Sequence, residues 1–127
     1  VPGEDITLVG SGYATLLARE AAQLLTSSGI SAEVIDLRVL NPYNPEVIIS
    51  SVARTRNLVV VDGSWASCGF SAEVIASVSE ALAPGVLANS PRRITLPAAP
   101  APTSRTLQDQ YYPTFEMVAD IARNMLS

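Results

Sequence analysis

The sequence predicts one α/β domain, a three-layer α/β/α sandwich around a four-stranded, mainly parallel sheet with strand order 2-1-3-4. Three observations lead to this fold. Short apolar, β-branched runs alternate along the chain with longer stretches whose apolar residues recur at helical spacing. Gly, Pro and Asn separate the two kinds of segment. The chain has 127 residues, 48% hydrophobic and 16% charged, which is enough for one packed core.

The clearest unit is a strand, a loop and a helix in the middle of the chain. Leu58–Val61 is an apolar run that predicts a buried strand, and Asp62-Gly63-Ser64 is expected to end it with a turn. Apolar residues then recur at helical spacing over Phe70–Leu82. Because sites in open α/β sheets form at the carboxyl ends of strands, the loop of this unit is the first place to look for function.

Three further strands and three further helices complete the alternation. Gly29 is placed to end the first helix, and Asn44 with Pro45 to begin the second. A proline-alanine stretch at 97–102 is expected to be extended and exposed. The strands are expected at Ile6–Val9, Ala32–Leu37 and Arg92–Leu96, and the helices at Tyr13–Ser27, Pro45–Val52 and Thr114–Leu126.

The composition excludes several classes of function. The net charge is −4 and the eight basic residues are dispersed arginines, which argues against a nucleic-acid surface. No apolar run approaches the roughly 18 residues of a membrane span, so no membrane partner is expected. Without His or Lys the chain lacks the commonest general base and the Schiff-base amine. Its one cysteine, Cys68, excludes an internal disulfide and favours a reducing, cytoplasmic compartment.

One motif imitates a dinucleotide-binding fingerprint. Gly10-Ser11-Gly12 follows the first strand and opens a helix, and Asp36 ends the next strand, where the fingerprint places the carboxylate for the ribose. Thr15 occupies the position of the third glycine. The alternative interpretation is a tight strand-to-helix turn that needs small residues. A small module that binds NAD or AMP through Gly10, Gly12 and Asp36 therefore stays open as an alternative function.

The residues alone predict no catalytic site and no metal site. Asp62, at the end of the third strand, is a candidate catalytic carboxylate. An Asp at such a position more often caps a loop or pairs with an Arg. Cys68 has no His in the chain to activate it and is interpreted as a small loop thiol.

Four aromatic residues are candidates for an interface. Trp65 and Phe70 flank the loop after the third strand, where an aromatic beside Ser and Gly is typical of an interface anchor or of the core. Of the neighbours Tyr111 and Tyr112, one is expected to be packed and the other available to a partner.

Taken in order, four segments resemble the beta chain of thiamine-diphosphate-dependent 2-oxo acid dehydrogenases. Val59–Glu73 (VVVDGSWASCGFSAE) is similar to that family's strand, loop and helix, and Val34–Pro42 (VIDLRVLNP) to its "VIDLRTLxPxD" segment. Ile6–Gly12 resembles its opening "VTLVxxG". Arg93-Ile94-Thr95 with the prolines that follow, and Tyr112-Pro113, resemble its ending. Transketolase and deoxyxylulose-phosphate synthase share this C-terminal domain and remain alternative parents.

The resemblance implies a fragment of a longer chain that serves assembly rather than chemistry. The parent would be a pyruvate dehydrogenase-like oxidoreductase that uses thiamine diphosphate and magnesium bound outside this fragment. The expected partners are the alpha subunit, a second beta subunit and dihydrolipoyl acyltransferase. The family's antiparallel edge strand comes from residues before the opening segment, so one sheet edge is expected to be exposed or covered by a neighbour. The acid that the family often carries before its fourth strand is missing from residues 87–91.

Overall fold

The structure is a computed structural model that describes residues 3–37, 44–65, 68–97 and 103–127. Strands and helices alternate along most of the chain, and two helices follow the last strand. In chain order, the elements are β1 (Ile6–Gly10), α1 (Tyr13–Thr26), β2 (Ala32–Asp36), α2 (Glu46–Thr55), β3 (Leu58–Trp65), α3 (Phe70–Ala81), β4 (Arg92–Leu96), α4 (Arg105–Tyr111) and α5 (Phe115–Leu126).

The four strands form one sheet in the order β2-β1-β3-β4, which confirms the predicted topology. Every strand pairing within the described residues is parallel. The register places Ile6 of β1 opposite Ala32 of β2, and Thr7 of β1 opposite Leu58 of β3. The edges of the sheet are therefore β2 and β4.

Two apolar layers cover the sheet, one on each face. Successive side chains of a strand point to opposite faces. Val59 and Val61 accordingly pack with α1 and α5, whereas Leu58 and Val60 pack with α2 and α3. All five residues of β1 are buried, because the strand lies in the middle of a sheet covered on both sides.

Two element boundaries differ from the sequence prediction by three residues or more. The expected turn at 62–64 is wrong, since β3 continues through these residues to Trp65. The pairing of β3 with β4 is irregular between Val61 and Trp65, so the polar triplet marks a distortion inside the strand rather than its end. Helix α2 runs three residues beyond the predicted Val52 to Thr55, and Val52 and Thr55 of its last turn are buried.

Helix α4 has no counterpart in the sequence prediction. It is only seven residues long, RTLQDQY, and a short polar segment gives almost no helical periodicity to detect. Of the proline-alanine stretch predicted at 97–102, Pro97 is exposed as expected, and residues 98–102 lie outside the described part of the chain.

A buried hydrogen-bond network joins β1 to α2 at the amino edge of the sheet. The hydroxyl oxygen of Thr7 lies 2.7 Å from those of both Ser51 and Thr55. Thr55 also donates to the backbone carbonyl of Asn57, at 3.2 Å. Asn57 is held in turn by Asn89, whose Nδ2 donates to its Oδ1 at 2.8 Å. The network links the first strand, the second helix and the segment before β4.

Candidate functional site at the carboxyl edge of the sheet

An apolar cleft of about 330 Å³ lies at the carboxyl edge of the sheet. The chain runs from β1 to β2 on one side and then returns through α2 to β3, on the other side of β1. The strand order therefore reverses between β1 and β3. Crevices at such a reversal are where open α/β sheets bind ligands. The cleft is lined by Ser11, Tyr13, Ala14, Leu17, Val61, Asp62, Gly63, Leu96, Tyr112 and Pro113.

The glycine-rich turn at the start of α1 forms one wall, and its glycines have structural roles. A Cβ at Gly10 would lie 2.8 Å from the backbone nitrogen of Thr15, so only glycine lets helix and strand approach this closely. Gly12 has a φ of +60°, a conformation that favours glycine. Ser11 Oγ donates to the carbonyl of Leu37 at 2.8 Å and ties the turn to β2. These contacts support the tight-turn interpretation.

Asp36 has a partner within the protein. The hydroxyl of Thr15 donates to Asp36 Oδ1 at 3.0 Å, so this carboxylate bonds to the residue in the third glycine's place. Asp36 is also absent from the described lining of the cleft. The structure thus places Gly10, Gly12 and Asp36 around the same turn, and nucleotide binding by them stays a prediction.

Asp62 ties the end of β3 to the helix that follows it. Its Oδ1 accepts from the backbone N–H of Ser64 at 3.0 Å and from the Ser64 hydroxyl at 2.7 Å. Its Oδ2 accepts from the N–H of Ser71 at 2.8 Å. Because the N-cap of α3, Gly69, has no side chain, Asp62 supplies the cap from the neighbouring strand and places negative charge at the positive end of the helix. This geometry supports a capping role for Asp62 over a catalytic role.

The remaining predicted residues of this loop differ in what they contact. Phe70 is half-buried and packs against the apolar layer of α2 and α3, so part of its ring belongs to the core. Cys68 is free and exposed, with a φ of +57°. The side chain of Trp65 lies outside the described part of the structure. The interface roles predicted for Trp65 and Phe70 stay predictions.

Of the two neighbouring tyrosines one is packed and the other exposed, and the predicted contact of the exposed one with a partner stays a prediction. Tyr111 is buried, with 7% of its surface exposed, whereas Tyr112 is 45% exposed. Their rings meet edge to face, with centroids 4.9 Å apart and planes at 86°. The packed ring of Tyr111 therefore supports Tyr112, which lines the cleft.

Sequence reasoning missed two apolar residues at the cleft mouth and on the helix beside it. Tyr13 lines the cleft and is 71% exposed, and Leu16, one turn further along α1, is 51% exposed. The sequence pattern held one signal for their exposure: Tyr13 and Leu16 both lie outside the buried stripe of α1 that Leu17, Ala21 and Leu25 define.

In the ranges that the structure describes, no three His, Cys, Asp or Glu residues come together as a metal-binding group. None of the described helices has the length and apolarity to cross a bilayer.

The chain is similar to proteins of known sequence over nearly its whole length. The beta subunit of acetoin:2,6-dichlorophenolindophenol oxidoreductase is 36% identical over 124 residues in Cupriavidus necator and 35% identical over 126 residues in Bacillus subtilis. The beta subunit of the mitochondrial pyruvate dehydrogenase E1 component of Ascaris suum is 34% identical over 126 residues. Each match covers at least 98% of this chain but only 35% or 36% of the relative. The chain thus spans about a third of the length of these relatives.

Solved structures show the same architecture. A split-gene transketolase, described as an inactive beta4 tetramer, superposes with a TM-score of 0.82 and 25% identity, covering 98% of this chain and 39% of that one. A 2-oxoglutarate:ferredoxin oxidoreductase from Magnetococcus marinus shares the fold, with a TM-score of 0.67 and 16% identity, covering all of this chain and 19% of that one. The family profile "Transketolase, C-terminal domain" matches residues 1–118. The chain therefore belongs to the transketolase C-terminal domain family.

Proposed function

We propose that this chain is the C-terminal assembly domain of the beta subunit of a pyruvate dehydrogenase-like 2-oxo acid dehydrogenase. Its role is to support association of the beta subunit with a second beta subunit and with the alpha subunit. The observation that carries the proposal is that nearly the whole of this chain matches the beta subunits of an oxidoreductase and of a dehydrogenase. The beta4 tetramer of the structural neighbour fits an associating role.

The described residues do not fit thiamine diphosphate and magnesium by themselves. The one carboxylate in the described lining of the cleft belongs to Asp62, which already accepts three hydrogen bonds from Ser64 and Ser71. No Arg to meet a diphosphate is found among the described lining residues. We therefore assign the cofactor and the chemistry to other parts of the parent enzyme and derive no reaction step in this chain.

A chimera tests the assembly role. The matched third of the Bacillus subtilis oxidoreductase beta subunit is replaced by this chain and co-expressed with the alpha subunit. We expect the chimera to copurify with the alpha subunit and to reduce 2,6-dichlorophenolindophenol with acetoin. A beta subunit truncated before the matched segment is the control and is expected to fail to assemble.

Two results would contradict the proposal. One is a chimera that folds, as judged by circular dichroism, but assembles no better than the truncated control. The other is turnover of a 2-oxo acid, or tight binding of thiamine diphosphate, by this chain alone.

The proposal extends to docking of dihydrolipoyl acyltransferase, which the family resemblance implies. The segment before β4 holds Asn89 where an acid is often found, and its side chain is bonded to Asn57. Docking through this segment would therefore lack a carboxylate, and its affinity should depend only weakly on salt. Titration of the chimera with the acyltransferase at two ionic strengths measures this. No binding at all would remove docking from the proposal, and strong salt dependence would exclude docking through this segment.

A further inference from the structure

The cleft at the carboxyl edge has the features of a binding site for one small molecule. Its volume of about 330 Å³ lies at the lower end of the range of about 300–1,000 Å³ typical of ligand pockets. It is formed by four separate parts of the chain: the turn into α1, the end of β3, the end of β4 and the segment before α5. It also lies where the strand order reverses, the position at which this class of sheet binds ligands.

The charges around the cleft favour an uncharged ligand. Among the residues that the structure describes, the lining includes no Arg, and its one acidic residue, Asp62, already accepts hydrogen bonds from Ser64 and Ser71. An anionic ligand would therefore lose its hydration without gaining an oppositely charged partner, and a cationic ligand would meet only a carboxylate whose oxygens are already hydrogen-bonded.

The aromatic residues at the mouth favour a planar ligand. Tyr13 and Tyr112 both line the cleft and are 71% and 45% exposed, so each ring has surface left to cover. The edge-to-face contact with Tyr111 holds the ring of Tyr112. A ring held in this way can stack on a flat ligand with little loss of side-chain entropy, while phenolic hydroxyls can hydrogen-bond its polar edge.

We propose that this cleft binds a single uncharged aromatic molecule of about the size of indole, with its ring against Tyr112. Apolar contact is supplied by Ala14, Leu17, Val61 and Leu96. The site is distinct from the nucleotide alternative, because Asp36 is not part of it and the volume suits one compact molecule rather than a dinucleotide. It does not depend on the assembly role.

Indole is the probe, and ¹H–¹⁵N correlation spectra of the whole chain are the measurement. We expect saturable shifts at Ser11, Tyr13, Gly63 and Tyr112, with little response elsewhere. Indole-3-acetate, which adds a carboxylate to the same ring, should bind at least tenfold more weakly. Shifts that do not saturate, that spread over the surface, or that are equal for the charged analogue would overturn the proposal.

Two variants and a matched control locate the site. Tyr112→Ala removes the stacking surface and should weaken indole binding about tenfold. Gly63→Leu adds a side chain at the cleft, where a Cβ meets no neighbour within 4 Å, and should also weaken binding. Met117→Ala alters an apolar residue on α5 that is similarly exposed, at 43%, outside the lining, and should bind as the unchanged chain does. Thermal unfolding checks that each variant is folded.

The competing outcome is that the cleft is an interface between copies of this chain. In that case Tyr112 signals would shift on dilution without indole, and sedimentation would show a dimer that Tyr112→Ala dissociates. That result would overturn the small-molecule proposal. Normal indole affinity in both Tyr112→Ala and Gly63→Leu would overturn it as well.

Discussion

The carboxylate of Asp62 shows how one side chain can join the end of a strand to the helix that follows it. The sequence placed an acid after a buried strand, and two roles were compatible with that position. The distances decide between them, because both oxygens are used by Ser64 and Ser71. Spacing alone could not reveal this, since Ser71 lies nine residues further along the chain and meets Asp62 only after folding.

Asp62→Ala should lower the free energy of unfolding by about 2 kcal/mol, because it removes the cap of α3 and leaves the buried N–H of Ser71 without its acceptor. Urea unfolding followed by circular dichroism measures this. Glu80→Ala removes an equal charge from the exposed part of the same helix and should stay within about 0.5 kcal/mol of the unchanged chain. Equal stability of the two variants would rule out the capping role.

Gly10→Ala should destabilise the fold by about 1–3 kcal/mol, because the new Cβ meets backbone atoms of Ala14 and Thr15 that cannot move independently of α1. Thermal unfolding measures this loss of stability. Gly63→Ala is the matched control, since a Cβ at Gly63 meets no atom within 4 Å. Equal stability of Gly10→Ala and the control would show that the close approach of α1 to β1 does not require glycine at position 10.

At the scale of elements, the sequence predicted the strands and long helices well and the irregular parts poorly. Apolar periodicity identifies β1, β2 and α5, because one face or both faces of each are buried. It fails for α4, a short polar helix, and for the end of β3, where Asp62-Gly63-Ser64 carries turn chemistry but keeps an extended backbone. The cleft mouth was missed for a related reason, since Tyr13 becomes part of a site only through residues distant in sequence.

Helix α2 depends on the buried hydroxyl network at the amino edge. Thr7→Val keeps the shape of the side chain but deprives the hydroxyls of Ser51 and Thr55 of a shared partner. We expect a loss of about 1–2 kcal/mol in the free energy of unfolding, measured in urea. Thr106→Val makes the same chemical change at an exposed position and should have little effect. A loss of similar size in both variants would contradict a role for the network.

For the whole molecule, the strand order and the two-sided core followed from the alternation of elements, and the structure confirmed them. What could not be predicted is how the sheet edges are protected. At one edge, β4 begins with Arg92 and Arg93, which are both exposed. Charged side chains on an edge strand discourage pairing with other chains.

Arg92→Val should therefore increase self-association, because it adds a β-branched residue to an edge strand and removes a charge that opposes pairing. Light scattering over a concentration series is the measurement. Arg19→Val removes the same charge from the exposed face of α1 and controls for the change in net charge. Identical scattering from the two variants would mean that Arg92 does not protect the edge.

Cys68 gives this protein a practical advantage for spectroscopy. It is the chain's single thiol, and it is exposed between β3 and α3, the two elements that Asp62 joins. A fluorophore or nitroxide attached there would be stoichiometric without any engineering of other cysteines. Its mobility would then report, in real time, whether the loop tightens when a molecule or a partner subunit arrives at the carboxyl edge.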